Sequence, residues 1–141
     1  MRRLALTTTL LLSIVFQPAS GLAQAACTAP AIDGQVIMAR TGSQFAVGLE
    51  STPGTGFSWA LSQAPDASVA NMLDTQTIPP ARAVPGAPSV QCFTFEAIGV
   101  GTTPMEFAYF RPFEQDVPPA QTVTVTVVVG RGGSAPIQVP R

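Results

Sequence analysis

The stretch QTVTVTVVV, residues 121–129, alternates valine with threonine over most of its length. Successive side chains of a β-strand point to opposite faces, so most of the valines share one face and the threonines share the other. β-branched residues also favour extended backbone. The stretch therefore predicts a strand with one buried face. The buried positions are Val123, Val125, Val127 and Val129.

The same two-residue period recurs along the chain, and no segment holds a helical apolar period for three turns. Asn71 and Asp74 interrupt one of the strands, which is therefore expected at a sheet edge. Short strands separated by Pro and Gly turns indicate an all-β fold, a seven-stranded immunoglobulin-like β-sandwich over 34–129 with Trp59 in its core. The predicted strands are 34–40, 43–50, 57–63, 69–77, 90–97, 103–110 and 121–129.

Composition narrows the classes of function. The chain has 141 residues, 46% of them hydrophobic and 11% charged, with neither His nor Lys. Such a chain can bury the core of one domain, but it lacks imidazole and amine groups for nucleophilic or Schiff-base catalysis. An enzymatic alternative would rest only on the carboxylates of Glu106, Glu114 and Asp116. It is disfavoured, because scattered acidic residues are usually solvated. The formal charge of −1 without a basic stripe argues against a nucleic-acid partner, and no metal or other cofactor is expected.

The first 25 residues have the pattern of a secretory signal. Arg2 and Arg3 precede the apolar run 4–16, and Ala23-Gln24-Ala25 is a small-x-small cleavage site. The run is shorter than the roughly 20 residues needed to span a bilayer. We therefore expect a periplasmic or secreted protein that has no membrane attachment once the signal is removed.

The mature chain is expected to begin with a short segment, 26–33, and to end with a flexible tail, 130–141. In an exported protein the two cysteines, Cys27 and Cys92, are most simply a disulfide pair. Cys92 falls on the face opposite Phe93, where it could hold the N-terminal segment against the outside of the sheet. Two unpaired thiols, or a lipid on Cys27, are the alternatives.

Three of the predicted connections carry unusual residues. Because strand direction alternates, the connections at 51–56, 78–89 and 111–120 fall at the same end of the sandwich. The first contains a proline and two glycines, the second is small and apolar, and the third opens with Arg111-Pro112-Phe113-Glu114. Arginine and exposed aromatic rings are frequent anchors of protein interfaces. The pattern predicts a protein-binding surface at this end.

These connections resemble the signature of the chagasin family of cysteine-peptidase inhibitors. The resemblance covers 34–129, with Thr52, Gly54, Pro88 and Ser89 departing from the family pattern. The matching residues are Pro53, Thr55, Gly56, Phe57 and Trp59 in the first element, Gly86, Phe93 and Phe95 in the second, and Tyr109, Arg111, Pro112, Phe113 and Glu114 in the third.

The resemblance implies reversible inhibition of papain-like cysteine peptidases by a monomer whose three loops form a wedge in the active-site cleft. The alternative is an immunoglobulin-like module of the cell envelope or of adhesion that inhibits nothing. The resemblance places Pro53, Gly54, Thr55 and Gly56 at the catalytic centre of the peptidase, and adds Thr52 and Phe57 of the same loop as contacts. It places Gly86, Ala87, Pro88 and Ser89 on one side of the cleft, and Arg111, Pro112 and Phe113 on the other.

Overall fold

Seven β-strands make up nearly all the regular structure of the computed structural model, which describes Cys27 and residues 30–132. The predicted signal at 1–25 and the tail beyond residue 132 lie outside the described residues. Within the described part, no helix is long and apolar enough to cross a bilayer. The strands are β1 (Gln35–Arg40), β2 (Gln44–Ser51), β3 (Ser58–Gln63), β4 (Ala70–Ile78), β5 (Ser89–Ala97), β6 (Gly101–Phe110) and β7 (Gln121–Gly130).

The strands form two sheets, one in the order β1-β7-β6-β3 and the other in the order β2-β5-β4. All neighbouring strands are antiparallel except β1 and β7, which are parallel. This confirms the predicted seven-stranded β-sandwich, and each predicted strand end lies within two residues of the observed one.

The core follows the two-residue period. Val125, Val127 and Val129 are buried, as the opening stretch predicts, whereas Val123, near the start of the strand, is only partly buried. The buried valines belong to the same buried cluster as Phe95 and Phe107, whose rings meet edge-on with centroids 6.3 Å apart. Burying a side chain of this size stabilises the fold by about 1.5–3 kcal/mol relative to leaving it exposed. The alternation therefore supplies the apolar contacts between the sheets.

The two edges of the three-stranded sheet differ. The predicted edge strand β4 is confirmed as an edge, and most of its residues are exposed. The other edge, β2, is flanked by the N-terminal segment, where Pro30 bridges to Gly48 and the Ala31 N–H donates to the Gly48 carbonyl over 2.6 Å. Backbone groups at that edge are thus partly covered, which limits unwanted strand pairing.

A disulfide between Cys27 and Cys92 holds this segment, with the two Cα atoms 5.9 Å apart. The predicted pair is confirmed. The alternatives of free thiols and of a lipid on Cys27 are wrong for the described structure, because both sulfur atoms are used in the bond. Such a bond is typical of an oxidising compartment.

Three connections lie at one end of the sandwich because the strands alternate in direction. We name them L1 (52–57), L2 (79–88) and L3 (111–120). The other end carries tighter turns. In the turn between β3 and β4, the Asp66 carboxylate accepts hydrogen bonds from the Ser68 hydroxyl over 2.7 Å and from the Ser68 N–H over 2.9 Å. These bonds, the hydroxyl first, lower the pKa of Asp66 below its usual value.

Replacing both cysteines in the variant Cys27→Ser/Cys92→Ser should lower the free energy of unfolding by up to about 4 kcal/mol, because a crosslink across 65 residues restricts the unfolded chain. Urea unfolding of the two proteins measures the difference. Adding dithiothreitol should destabilise only the natural protein. Equal midpoints without reductant would contradict the expected contribution.

Candidate functional site at the loop-bearing end

L1 is a closed turn. Pro53–Thr55 form a 3-10 turn, in which proline fixes one backbone angle. The Thr55 N–H and hydroxyl both donate to the Thr52 carbonyl, over 3.1 and 2.6 Å. Gly56 ends the turn in the left-handed region, at φ 78°, which strongly favours glycine. These hydrogen bonds close the tip of L1.

Gly56 also receives the ring of Phe113 from L3. A Cβ on Gly56 would lie 3.1 Å from Cε1 of Phe113, so the ring lies directly over a position without a side chain. Phe113 is nevertheless 71% exposed. The tips of L1 and L3 thus form one continuous surface with an aromatic ring on it, as the sequence predicts for an interface anchor.

Arg111 fastens L3 to L1. Its Nε donates to the Thr55 carbonyl over 3.1 Å, and its Nη1 pairs with Glu114 Oε1 over 3.0 Å. Its Cζ lies 4.4 Å from the centroid of the Phe57 ring, within the range of a cation–π contact. The sequence predicts Arg111 as a contact for the partner, whereas the geometry shows two of its nitrogens engaged inside the molecule.

A column of aromatic rings supports this arrangement. The Tyr109 ring lies between those of Trp59 and Phe57, with centroid distances of 4.8 and 5.1 Å. The Tyr109 hydroxyl accepts a hydrogen bond from the Thr52 N–H over 3.1 Å. Trp59 is buried, as predicted, while Phe57 is half-buried between Tyr109 and Arg111. Tyr109 thus supports L1 at both of its ends.

Trp59 is in turn bound to the opposite sheet. Gln91 Oε1 accepts from the Trp59 N–H over 2.9 Å, and Gln91 Nε2 donates to the Trp59 carbonyl over 2.8 Å. The indole Nε1 donates to the Glu50 carbonyl over 2.8 Å. Gln91 is absent from the site predicted from the sequence. The sequence feature that points to Gln91 is its position: in the two-residue period it shares the inward face of the strand with Phe93 and Phe95.

L2 presents a tight turn of its own. The Ala87 N–H donates to the Val84 carbonyl over 3.1 Å, and Gly86 has φ 79°, as a turn with proline followed by glycine requires. Gly86 and Pro88 are exposed and Ala87 is half-buried. Val84, which is not among the predicted contacts, is 58% exposed on the same loop.

Ser89 departs from its prediction as a loop contact. It is the first residue of β5, pairs with Ser51 of β2, and is 7% exposed. The ladder between β2 and β5 reaches one residue further than the alternation indicated and draws Ser89 into the sheet. Ser89 is therefore too buried to be a contact residue.

A recess beside L3 has a volume of about 90 Å³. Ordinary small-molecule sites are several times larger, at roughly 300–1,000 Å³. The recess is large enough for one side chain of a partner. Its lining consists of Phe57, Phe110, Arg111, Glu114, Val117, Pro118 and Ala120.

The acidic residues of the enzymatic alternative have separate uses. Glu106 accepts from the Ser62 hydroxyl over 2.9 Å, and Glu114 pairs with Arg111. Across the described residues, no three His, Cys, Asp or Glu side chains group as metal ligands would.

The fold and the loops define a class: an immunoglobulin-like β-sandwich that presents three loops at one end. The model of the chagasin family, described as peptidase inhibitor I42, matches residues 38–127. The chain belongs to the chagasin family of peptidase inhibitors, which are not enzymes.

Several known proteins are similar to this chain at low sequence identity. Amoebiasin-2 of Entamoeba histolytica is 27% identical over 81 residues, which are 57% of this chain and 66% of that protein. The crystal structure of the cysteine protease inhibitor EhICP2 from Entamoeba histolytica has a TM-score of 0.60 at 21% identity, covering 70% of this chain and 88% of the other. PbICP-C in complex with falcipain-2 has a TM-score of 0.50 at 16% identity, covering 73% and 95%.

Arg111→Ala should leave the sandwich folded but speed hydrogen exchange at the Thr55 and Gly56 amides, because it removes the bond to the Thr55 carbonyl and the cation over Phe57. Amide exchange followed by NMR measures this. Glu114→Gln removes only the ion pair and should have a smaller effect, since half-exposed pairs contribute little. Unchanged exchange in Arg111→Ala would show that L1 holds its shape unaided.

Proposed function

We propose that this protein is a reversible inhibitor of papain-like cysteine peptidases. Membership of a family of peptidase inhibitors supports this proposal. So do two structural neighbours, one described as a cysteine protease inhibitor and one solved in complex with falcipain-2. The observation that carries the proposal is the connection between L1 and L3. Arg111 joins the two loops, and the Phe113 ring beside it remains exposed.

L1 is the part proposed to enter the catalytic cleft, with the backbone of Pro53, Gly54, Thr55 and Gly56 over the nucleophilic cysteine. A peptidase that cleaves must receive an extended peptide in the correct direction. L1 instead presents a 3-10 turn closed by the hydrogen bonds of Thr55 and Gly56 to Thr52 and Pro53. Such a tip blocks the cleft without placing a peptide bond in line for attack.

L2 and L3 are proposed to contact the two walls of the cleft. On the L3 side, Pro112 and Phe113 are both exposed, and an aromatic ring buried on docking is a frequent source of binding energy. On the L2 side the contacts are Gly86, Ala87 and Pro88. Together with L1 between them, these loops form a three-part wedge.

The physical basis of tight binding in this proposal is preorganisation. Thr52 and Phe57, at the ends of L1, are held by the Tyr109 hydroxyl and ring respectively, and Arg111 binds the Thr55 carbonyl between them. A loop already ordered in the free protein loses little conformational entropy on docking, so more of its contact energy is retained as affinity.

The proposed setting is outside the cytosol. The signal-like pattern at 1–25 and the Cys27–Cys92 disulfide support export to the periplasm or the medium. The inhibitor is proposed to act there as a monomer, with one chain for each peptidase.

Mixing the mature protein with papain tests the function. We expect reversible inhibition, with the inhibitor intact on electrophoresis after prolonged incubation. Activity that recovers as the inhibitor is digested would indicate a slow substrate. If no papain-like peptidase of a panel is inhibited at micromolar concentration, the proposal fails, and the immunoglobulin-like module without a peptidase target is favoured.

Phe113→Ala should weaken inhibition by about 2 kcal/mol or more, roughly thirtyfold, because the exposed ring anchors L3. The free energy of unfolding should change little, since the ring is 71% exposed. Val100→Ala is a matched control, since Val100 is 61% exposed in the turn between β5 and β6, at the opposite end. Loss of stability in step with loss of inhibition would instead assign the Phe113 ring a structural role.

A further inference from the structure

We infer that Gln91 is a positioning residue for inhibition: its side-chain amide bridges the two sheets and thereby sets the geometry of L1. The inference rests on the proposed function and extends it to a residue that does not lie in any of the three loops. Gln91 belongs to β5, the central strand of its sheet.

The connection between the sheets matters because L1 spans them. It leaves β2 in the three-stranded sheet and enters β3 in the four-stranded sheet. Apolar packing between sheets is not directional, so it tolerates small sliding movements. Hydrogen bonds are directional and fix the offset. At this end such bonds come from Gln91 and from the Trp59 indole.

Gln91 suits this task because of its chemistry. β3 is an edge strand, and the Trp59 N–H and carbonyl are bound by Gln91, which lies in the other sheet. A carboxamide offers one acceptor and two donors, so it can satisfy both backbone groups at once, as a neighbouring strand would. A leucine or methionine at position 91 would leave both groups without this partner.

The effect of Gln91 reaches L1 through the column of rings. Trp59 packs on Tyr109, and Tyr109 holds Thr52 through its hydroxyl and Phe57 through its ring. If β3 shifts against β5, these contacts shift together and a smaller fraction of molecules has L1 in the binding shape. Apparent affinity falls by that fraction.

Gln91→Glu separates positioning from simple loss of stability. A carboxylate can still accept from the Trp59 N–H, but it cannot donate to the Trp59 carbonyl, and it repels that oxygen. A protonated carboxyl regains the donor. An ordinary glutamate has a pKa of about 4.3. Inhibition of papain by the mature Gln91→Glu protein should therefore be about tenfold weaker than that of the natural protein at pH 7, and should recover towards it as the pH falls to about 4.

The natural protein serves as the reference at every pH. It contains the other titratable side chains of the strands around position 91, namely Glu50, Asp74, Glu96, Glu106 and Tyr109. The ratio of the two inhibition constants therefore isolates the new carboxyl. Gln76→Glu is the matched control, because Gln76 is exposed on the neighbouring strand β4, and its ratio should stay near one.

Gln91→Met completes the test. It should weaken inhibition about tenfold at every pH and speed exchange of the Thr52 amide, with circular dichroism showing a folded protein at the assay temperature. Inhibition constants within twofold of the natural value for both folded variants would overturn the inference. So would a ratio for Gln91→Glu that does not depend on pH. If the natural protein does not inhibit, the proposed function fails, and Thr52 exchange alone still decides whether Gln91 positions L1.

Discussion

The loop-bearing end depends on how Trp59 is held between the two sheets. Its backbone is bound by Gln91, its indole N–H by the Glu50 carbonyl, and its ring by Tyr109. Without these contacts the sheets would be joined at this end mainly by apolar packing, which has no directional preference. The shape of L1 follows from them, because its two ends belong to different sheets.

The residues that support the loops are different from the residues that the loops expose. Tyr109, Arg111 and Gln91 direct polar groups inward to backbone atoms, whereas Phe113 and the L1 tip remain exposed. A surface built in this way needs little rearrangement on docking, as the proposed wedge requires. It also accounts for a chain that has neither His nor Lys, since blocking a catalytic site requires shape and exposed apolar area rather than reactive groups.

Much of the fold and part of the site could be predicted from the sequence. The burial of Val125, Val127 and Val129, the edge character of β4 and the Cys27–Cys92 pair are all confirmed. The proline and glycines at 53–56 do form a turn, and the structure adds that Gly56 ends it in the left-handed region. The two residues whose positions were not predicted correctly are polar. Ser89 was expected on the surface and lies in the sheet, while Gln91 was not singled out.

The sequence by itself determined which side chains are buried, where the chain turns and which family the chain resembles, because these depend on local period, on turn chemistry and on a motif read in order. Only the tertiary structure decided which polar atoms meet across the two sheets. Arg111 illustrates the difference: its place in the motif suggests a contact with a partner, yet its Nε binds the Thr55 carbonyl, 56 residues away. The physical reason is that a two-residue period fixes the face of a side chain, whereas its hydrogen-bond partner depends on how the sheets are offset.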